Sequence, residues 1–496
     1  MSHLVIWGAQ GVSPPAFSLF RRSYTLNALR FEAHQEKNLL ALKEELDART
    51  YHPSCSVCFV STRPKLRKIF AADFKDRIVH HILVDHLERI FEPIFIHDSY
   101  ACRKGKGVHK GVLRLEHFIR QVTANGSRPA YYIQLDIKNY FMSIDKEILF
   151  SLLAGKIRDE AALWLTRLLV FHDCTDNYVL RGEAGLLRSI PTHKTLFHAP
   201  KSKGLPIGNL NSQFFANVYL NGLDQFVKHR LKCRYYLRYC DDFVLLSKER
   251  DQLLIWRERI EAYLKEELQL ELNRKRQRLQ PVSNGIDFLG YIVRGDYLLV
   301  RRRVVNNLRT KLGDYETRLV KDGRFYRRYR FDESILDSLA AMFSSYLGHF
   351  KMADTYSLSL SLWKRHAFLS QYFDFDHEKQ KLIRKYEVPR GFKKIRQQYL
   401  YYNRGFPEDV ILFQAGSFFE FYHAQDRRPA QLLGLSKMGK NRRGARYGFP
   451  VRLVHQYFRR LFRDRKSVLL VLEKANYWTG IKERLPVYRF EPLTGD

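Results

Sequence analysis

Three observations predict an α/β chain with an α+β sheet domain at its heart and a small α/β domain at the C-terminal end. Tyr131-Tyr-Ile-Gln-Leu-Asp136 has the aromatic and β-branched content of a short buried strand, and it ends on a carboxylate. Tyr239-Cys-Asp-Asp-Phe243 sets two adjacent carboxylates between Arg234-Tyr-Tyr-Leu-Arg238 and the apolar run Phe243-Val-Leu-Leu246, which reads as a β-hairpin with an acidic tip. Beyond about Asp409, strand and helix patterns alternate again after a basic, poorly periodic stretch.

Along the chain, residues 24–51 read as helical, with Leu39, Leu40, Leu42 and Leu46 spaced for one face. Residues 73–91 form a basic amphipathic helix. After the strand ending at Asp136 come helices to about residue 171, then a polar, Gly- and Pro-punctuated connection over 175–206. Residues 212–230 and 248–272 are helical on either side of the acidic hairpin. Two short strands fall within 286–301, and 304–386 looks all-helical.

The chain has 496 residues, 45% of them hydrophobic, so it can form several packed domains and is not a disordered protein. Its formal net charge is +33, and the basic residues are spread along its length. Such charge over folded sequence predicts a polyanionic partner, most simply nucleic acid, and 29 Tyr with 35 Phe supply faces for stacking. Six irregularly spaced cysteines make no disulfide framework, which points to the cytoplasm. Cys55 and Cys58 with His52 lack a second ligand pair, so they read as plain thiols and not as half a zinc site. With no 18-residue apolar run and no secretory pattern, neither a membrane span nor secretion is expected.

An Asp-Asp turn by itself is either a solvated hairpin tip or a holder of hard cations. Asp136, at the end of a strand in the same sheet, favours the second: three carboxylates on adjacent strand ends can share two Mg²⁺ ions, with the Ile137 carbonyl as a further ligand. Phe141 would lie beneath an incoming sugar, where a ring leaves no space for a 2′-hydroxyl, or else it is core. Gly204-Leu-Pro-Ile-Gly208, followed by Ser212-Gln213, would bring backbone close to a base or template strand. Lys65-Leu-Arg67 and Arg103-Lys-Gly-Lys-Gly107 place cations in loops, as a triphosphate clamp needs and as ordinary solvated loops also show.

Taken in order, these motifs resemble the seven-block core of reverse transcriptases over roughly residues 20–370. Within that class the chain looks most like the reverse transcriptases of diversity-generating retroelements, through Phe70-Ala-Ala-Asp-Phe-Lys-Asp-Arg-Ile-Val-His-His81, Ser99-Tyr-Ala-Cys-Arg-Lys-Gly-Lys-Gly107 and Gly204-Leu-Pro-Ile-Gly-Asn-Leu-Asn-Ser-Gln213. The last stretch is the most diagnostic, because other reverse transcriptases usually have Gln where Ile207 stands and Pro where Gln213 stands. The resemblance implies a right-hand polymerase: fingers and palm over 1–302, a helical thumb over 303–386 and a basic linker over 387–407. It implies two Mg²⁺ on Asp136, Asp241 and Asp242, and phosphate contacts from Lys65, Arg67, Arg103 and Lys275. Ile137, Phe141, Ile207 and Gly208 would line the nucleotide, and Ser212, Gln213 and Tyr239 would touch nucleic acid. Phe288-Leu-Gly-Tyr291 matches the primer-grip block. An RNA template, a DNA or RNA primer, deoxynucleoside triphosphates and a small basic accessory protein would be the partners, and copying would be error-prone at template adenines. Retron-like, group II intron-like and phage-defence enzymes are the alternatives, as is a non-catalytic, maturase-like RNA-binding scaffold.

Residues 408–496 resemble the N-terminal mismatch-recognition domain of MutS proteins, through Phe413-Gln-Ala-Gly-Ser-Phe-Phe-Glu-Phe-Tyr422, Gln431-Leu-Leu-Gly-Leu435 and Gly448-Phe-Pro450. That resemblance implies a wedge Phe418 and a base-bonding Glu420, although Ser417 replaces the acidic residue usual before them. The bland reading leaves Phe418 in a small core. Basic residues over 437–446 would suit a loop facing phosphates.

Overall fold

The computed structural model describes residues 26–62, 66–376, 378–388, 391–423, 426–439, 444–478 and 480–493. The chain divides into two compact units, one running through Leu289 and taking in Val293–Asp296, the other comprising Gly290–Ile292 and the chain from Tyr297. No described helix is long and apolar enough to cross a membrane.

In the first unit, helices α1 (Leu26–Glu32) and α2 (Gln35–Asp47) precede strands β1 (Ser56–Ser61) and β2 (Arg67–Ala71) and the long helix α3 (Phe74–Phe91). Asp73 caps α3 by accepting from the Lys75 amide, which answers one of the orphan donors of the first turn. Helix α4 (Val108–Val122) leads to β3 (Tyr131–Asp136), and α5 (Tyr140–Ser143), α6 (Lys146–Ala154) and α7 (Glu160–Phe171) follow. The expected irregular connection contains β4 (Tyr178–Arg181), paired parallel with β1, and the short α8 (Ala184–Arg188). Helix α9 (Leu210–Gln225), the hairpin β5 (Tyr235–Tyr239) and β6 (Asp242–Ser247), α10 (Arg250–Leu268), β7 (Arg278–Pro281) and β8 (Ile286–Phe288) complete it.

Strands β5, β6, β3 and β7 form, in that order, an antiparallel sheet. Alternation sorts its side chains. Ile133, Leu135, Tyr236, Phe243 and Leu245 join the core that includes α3, α9 and α10. Tyr132, Leu237, Val244 and Leu246 are buried as well, and α4 packs on β5 and β6, with Phe118 edge-on to Tyr235 at 5.5 Å. A sheet covered on both faces explains why Phe243-Val-Leu-Leu246 is an unbroken apolar run.

One buried ion pair fastens the acidic hairpin to α9. Arg238 and Asp224 are both fully excluded from solvent, with Nε to Oδ1 at 2.8 Å and Nη2 to Oδ2 at 2.6 Å. The Tyr236 hydroxyl donates to Asp224 at 2.7 Å, and Arg238 Nη1 donates to the Cys240 carbonyl at 3.0 Å and to Asn217 Oδ1 at 3.2 Å.

In the second unit, strands β9 (Tyr291–Val293) and β10 (Leu298–Val300) lead to α11 (Arg302–Leu319). The hairpin β11 (Val320–Asp322) and β12 (Tyr326–Arg330) interrupts the expected all-helical stretch before α12 (Glu333–Phe350) and α13 (Tyr356–Arg365). Strands β13 (Phe373–Asp376) and β14 (Lys381–Arg384) form a second hairpin. Where a linker was expected, α14 (Ile395–Gly405) buries Tyr399 and Tyr402 completely, so residues 387–407 include core-forming structure. Then come β15 (Val410–Ala415), β16 (Phe418–Phe421), α15 (Arg427–Leu433), β17 (Tyr447–Pro450), α16 (Val454–Arg463), β18 (Val468–Trp478) and β19 (Ile481–Pro492).

A seven-stranded sheet in the order β11-β12-β19-β18-β15-β16-β17 unites these pieces. Only β15 and β18 pair parallel; Tyr326↔Pro492 through Arg330↔Tyr488 set the antiparallel register of β12 on β19. Ile411, Phe413, Leu469 and Val471 face a core shared with α12 and α14, while Val410, Leu412, Phe419, Phe421 and Val468 face α15 and α16. The expected boundary between a helical thumb and a separate small domain is therefore crossed by one sheet.

Replacing Asp224 by Ala strands the Arg238 charge in the interior, and denaturant unfolding should show a loss of about 3–5 kcal/mol. Lys43→Ala, which breaks an exposed i,i+4 pair with Asp47 on α2, should change stability by less than about 0.5 kcal/mol in the same measurement.

Candidate active site

The β5–β6 turn consists of Cys240 and Asp241 between the paired Tyr239 and Asp242. Cys240 takes the left-handed conformation, φ 57°, that a tight two-residue turn demands. The Arg238 guanidinium holds the Cys240 carbonyl from behind. Asp242 stands opposite Asp136 in the β3–β6 register, and the Ile137 amide donates to the Asp241 carbonyl at 3.3 Å. Three carboxylates thus occupy neighbouring strand ends.

Asp136 is buried and accepts from Asn273 Nδ2 at 2.8 Å, with Arg276 Nη1 at 3.4 Å; its carbonyl takes the Asn273 amide at 2.8 Å. The carboxyl of Asp241 is raised above the ordinary range, first by desolvation and then by the negative charge of Asp136, against smaller opposing pulls that include the charge of Arg67. Among the described residues no three His, Cys, Asp or Glu side chains form a ready-made metal cage. The donor set nevertheless fits a hard divalent cation: it is all oxygen, and Asp136 and Asp241 repel one another without a cation to share.

The remaining predicted residues fall into three groups. Several gather around this acidic end. Asn139 adopts φ 48°, which starts α5, and Tyr140 is buried with its hydroxyl on the Ala216 carbonyl at 2.5 Å. The next residue, Phe141, is half-buried, and its carbonyl accepts the Leu205 amide at 2.8 Å, tying it to the 204–208 loop. In that loop the Ile207 carbonyl accepts the Phe70 amide at 3.0 Å, leaving the Ile207 side chain half-exposed. Gly208 has φ +123°, and a Cβ there would sit 2.7 Å from Ile69 Cγ2 and 3.1 Å from the Phe70 carbonyl oxygen, so only glycine fits. Arg67 is exposed at the start of β2, Ile137 is buried, Tyr239 is half-buried, and Gln213 is exposed and accepts from Cys102 Sγ at 3.2 Å. Ser212 is buried with its hydroxyl lacking a partner among the described residues.

A second group departs from expectation. Arg103 is turned inward: its guanidinium forks onto Glu92 at 2.7–3.1 Å and onto the Ile96 and Ser99 carbonyls at 2.6 and 2.8 Å, with 6% of the side chain exposed. It braces a loop and does not offer its charge to a phosphate. Lys275 is exposed on a short turn, whereas its neighbours Asn273 and Arg276 reach Asp136. Glu420 is buried and accepts from the Tyr422 hydroxyl, so it is held in the core and does not reach out to a base. Phe418, on the same strand, is 40% exposed, which removes the reading of it as a core residue. The third group is Lys65 alone, which lies outside the described residues; part of the basic 437–446 loop does so too.

Residues 61–293 match the family model described as reverse transcriptase (RNA-dependent DNA polymerase), and residues 393–479 match MutS domain I. Among curated proteins the chain is similar to protein YkfC of Escherichia coli (strain K12), 25% identical over 54% of this chain and 74% of that one. It is also similar to the group II intron-encoded protein LtrA of Lactococcus lactis subsp. cremoris, 22% identical over 53% of this chain and 51% of that one. A solved structure of apo telomerase from Candida tropicalis aligns with a TM-score of 0.34 and 12% identity, over 50% of this chain and 56% of that one. The acidic strand ends lie inside the first match, so residues 61–293 resemble the polymerase domain of reverse transcriptases, which supports the activity of an RNA-directed DNA polymerase, and residues 393–479 resemble MutS domain I.

Proposed function

We propose that this protein synthesises cDNA on an RNA template as a reverse transcriptase of the diversity-generating retroelement type, with reduced fidelity opposite template adenines. The observation that carries the reading is the 204–208 loop. Its backbone is fastened to Phe70 and to Phe141, and Gly208 admits no side chain. The residue offered at that point, Ile207, is apolar. An apolar side chain cannot hydrogen-bond to the nascent pair, so it polices pair geometry less tightly than Gln would.

The roles follow from position. Asp136, Asp241 and Asp242 would hold two Mg²⁺ ions. Bound there, the cations would make the primer 3′-hydroxyl nucleophilic and neutralise the leaving pyrophosphate. Asn273 and Arg276 orient Asp136, and Arg67 faces the triphosphate. Phe141 would exclude a ribose 2′-hydroxyl, Lys275 would lie near the triphosphate, and Gln213 and Tyr239 would lie along the primer and template, with the buried Ser212 behind them. Phe418 offers an exposed ring for an unstacked base in the product duplex. Substrates are an RNA template, a DNA or RNA primer and deoxynucleotides, and a small basic accessory protein is the expected partner. A non-catalytic scaffold is disfavoured, because mutually repelling carboxylates are a liability without a cation.

A second reading is a group II intron-type enzyme, favoured by the similarity to LtrA. A pair of near-identical repeats differing at adenines beside the coding sequence supports the first reading, and their absence sinks it.

Primer extension on a defined RNA should fall roughly a thousandfold in Asp241→Asn, the loss of several kcal/mol of transition-state stabilisation. Phe141→Ala should admit ribonucleotides about ten- to a hundredfold better, read as the ratio of kcat/KM values. Sequenced cDNA from Ile207→Gln should contain fewer errors opposite adenine than wild type; identical spectra would remove Ile207 from the fidelity account.

A further inference from the structure

Lys146, one residue after the N-cap Asp145 of α6, is 4% exposed, an unusual place for an ammonium group. Its amide donates to the Ser202 carbonyl at 2.9 Å, and Asp145 bridges to Lys203, which pins the start of α6 against residues 202 and 203. The Lys146 ammonium makes no hydrogen bond or ion pair among the described residues. It lines a small recess with His172, Asp173, Lys201, Lys203 and Gly204.

The other charged groups of the recess are already engaged. Asp173 Oδ1 accepts from the Thr175 amide at 2.9 Å and hydroxyl at 2.6 Å, Lys201 pairs with Asp176 at 3.4 Å, and Lys203 donates to Gln269 at 3.1 Å. A buried ammonium without a partner is costly unless something anionic or polar enters to meet it.

We propose that Lys146 is the floor of a phosphate-binding recess, which receives one non-bridging oxygen of the nucleic-acid backbone as a strand passes the 204–208 loop. The recess has room for a single water-sized group, so an oxygen of a phosphodiester enters while a base or a whole nucleotide does not. Three lysines against Asp173 leave the lining positive, while burial pushes the His172 imidazole below its usual pKa; this suits the single charge of a phosphodiester. Burial holds the Lys146 ammonium below its usual pKa, and Asp173 recovers only part of that shift. The wall of the recess is shared with the active site. Gly204 donates to the Ile144 carbonyl and Leu205 to that of Phe141, both at 2.8 Å, so a strand anchored at Lys146 is registered against the residue assigned to the sugar gate.

The source of the phosphate rests on the proposed polymerase reading, and the test separates the two by measuring binding without synthesis. The full chain carrying Asp241→Asn is titrated with a primed RNA template, with Lys146 intact and with Lys146→Met, while single methylphosphonates are walked along each strand. One phosphonate position should weaken binding about tenfold when Lys146 is present and have no effect in Lys146→Met. The slope of log affinity against log salt should fall by about one phosphate's worth in Lys146→Met. That variant should unfold at the same temperature or higher, since it removes an unpaired buried charge. Identical phosphonate profiles with and without Lys146 would overturn the proposal. So would a lower unfolding temperature for Lys146→Met, which would make the residue structural. Thermal protection by inorganic phosphate with no sensitive strand position would show a recess for a free ion, and would overturn it equally.

Discussion

The contact between Arg238 and Asp224 is the constraint on which the acidic centre depends. Two fully buried charges are tolerated because every strong donor and acceptor around them is answered: Tyr236 and the guanidinium fork satisfy Asp224, while Asn217 and the Cys240 carbonyl take the remaining Arg238 donor. The same arginine's backbone bonds to Asp98 and Tyr100, and Asn217 reaches the Ala101 carbonyl. Through its side chain and its backbone, one residue thereby joins α9, the β5–β6 turn and the 98–101 loop. A hydrophobic substitute could match the packing, but it could not aim the Cys240 carbonyl, and the turn carrying Asp241 and Asp242 would lose its fixed direction.

The strands that carry the three carboxylates were legible because their signals are local. The alternation and run lengths of Tyr131–Asp136 and Tyr235–Ser247 are set by a sheet covered on both faces, and a two-residue acidic turn has few other interpretations. The partners of Asp136 were not legible. Asn273 and Arg276 sit on an irregular turn after α10, and nothing in their spacing reveals that the chain returns there to β3. Lys275 attracted attention as a cation, although the local geometry turns its two neighbours towards the carboxylate. Arg103 failed for a related reason. A basic residue in a glycine-containing loop looks available, and only tertiary structure reveals that Glu92 and two carbonyls hold it.

In the second unit, helical periodicity over 304–386 hid a hairpin. The pattern Tyr326-Arg-Arg-Tyr-Arg330 has tyrosines three apart, the spacing of one helix face, but pairing with β19 makes it a strand that sends Tyr326 to Phe462 on one side and Tyr329 to the core of α12 and α14 on the other. Long-range pairing of this kind leaves no mark in a short window. The expected linker hid a helix because basic and amide residues surround its short apolar face: Tyr399 and Tyr402, three apart, bury large rings, and Ile395, Leu400 and Tyr401 pack against the same core. At Phe418 and Glu420 the motif was recognised, but which of the two faces solvent depended on the Tyr422 hydroxyl.

The pairing of β12 with β19 also bears on how this protein is made and how it could be divided. The hairpin emerges from the ribosome long before β19 exists, so it waits with an unpaired edge and the ring of Tyr329 still short of its final hydroxyl contact with Glu491. Closure of a sheet by a strand so distant in sequence is slow, high-contact-order assembly. A shortened enzyme ending before the MutS-like segment would keep the hairpin but lose the strand that covers it. Adding or removing this segment must therefore cut through a continuous sheet.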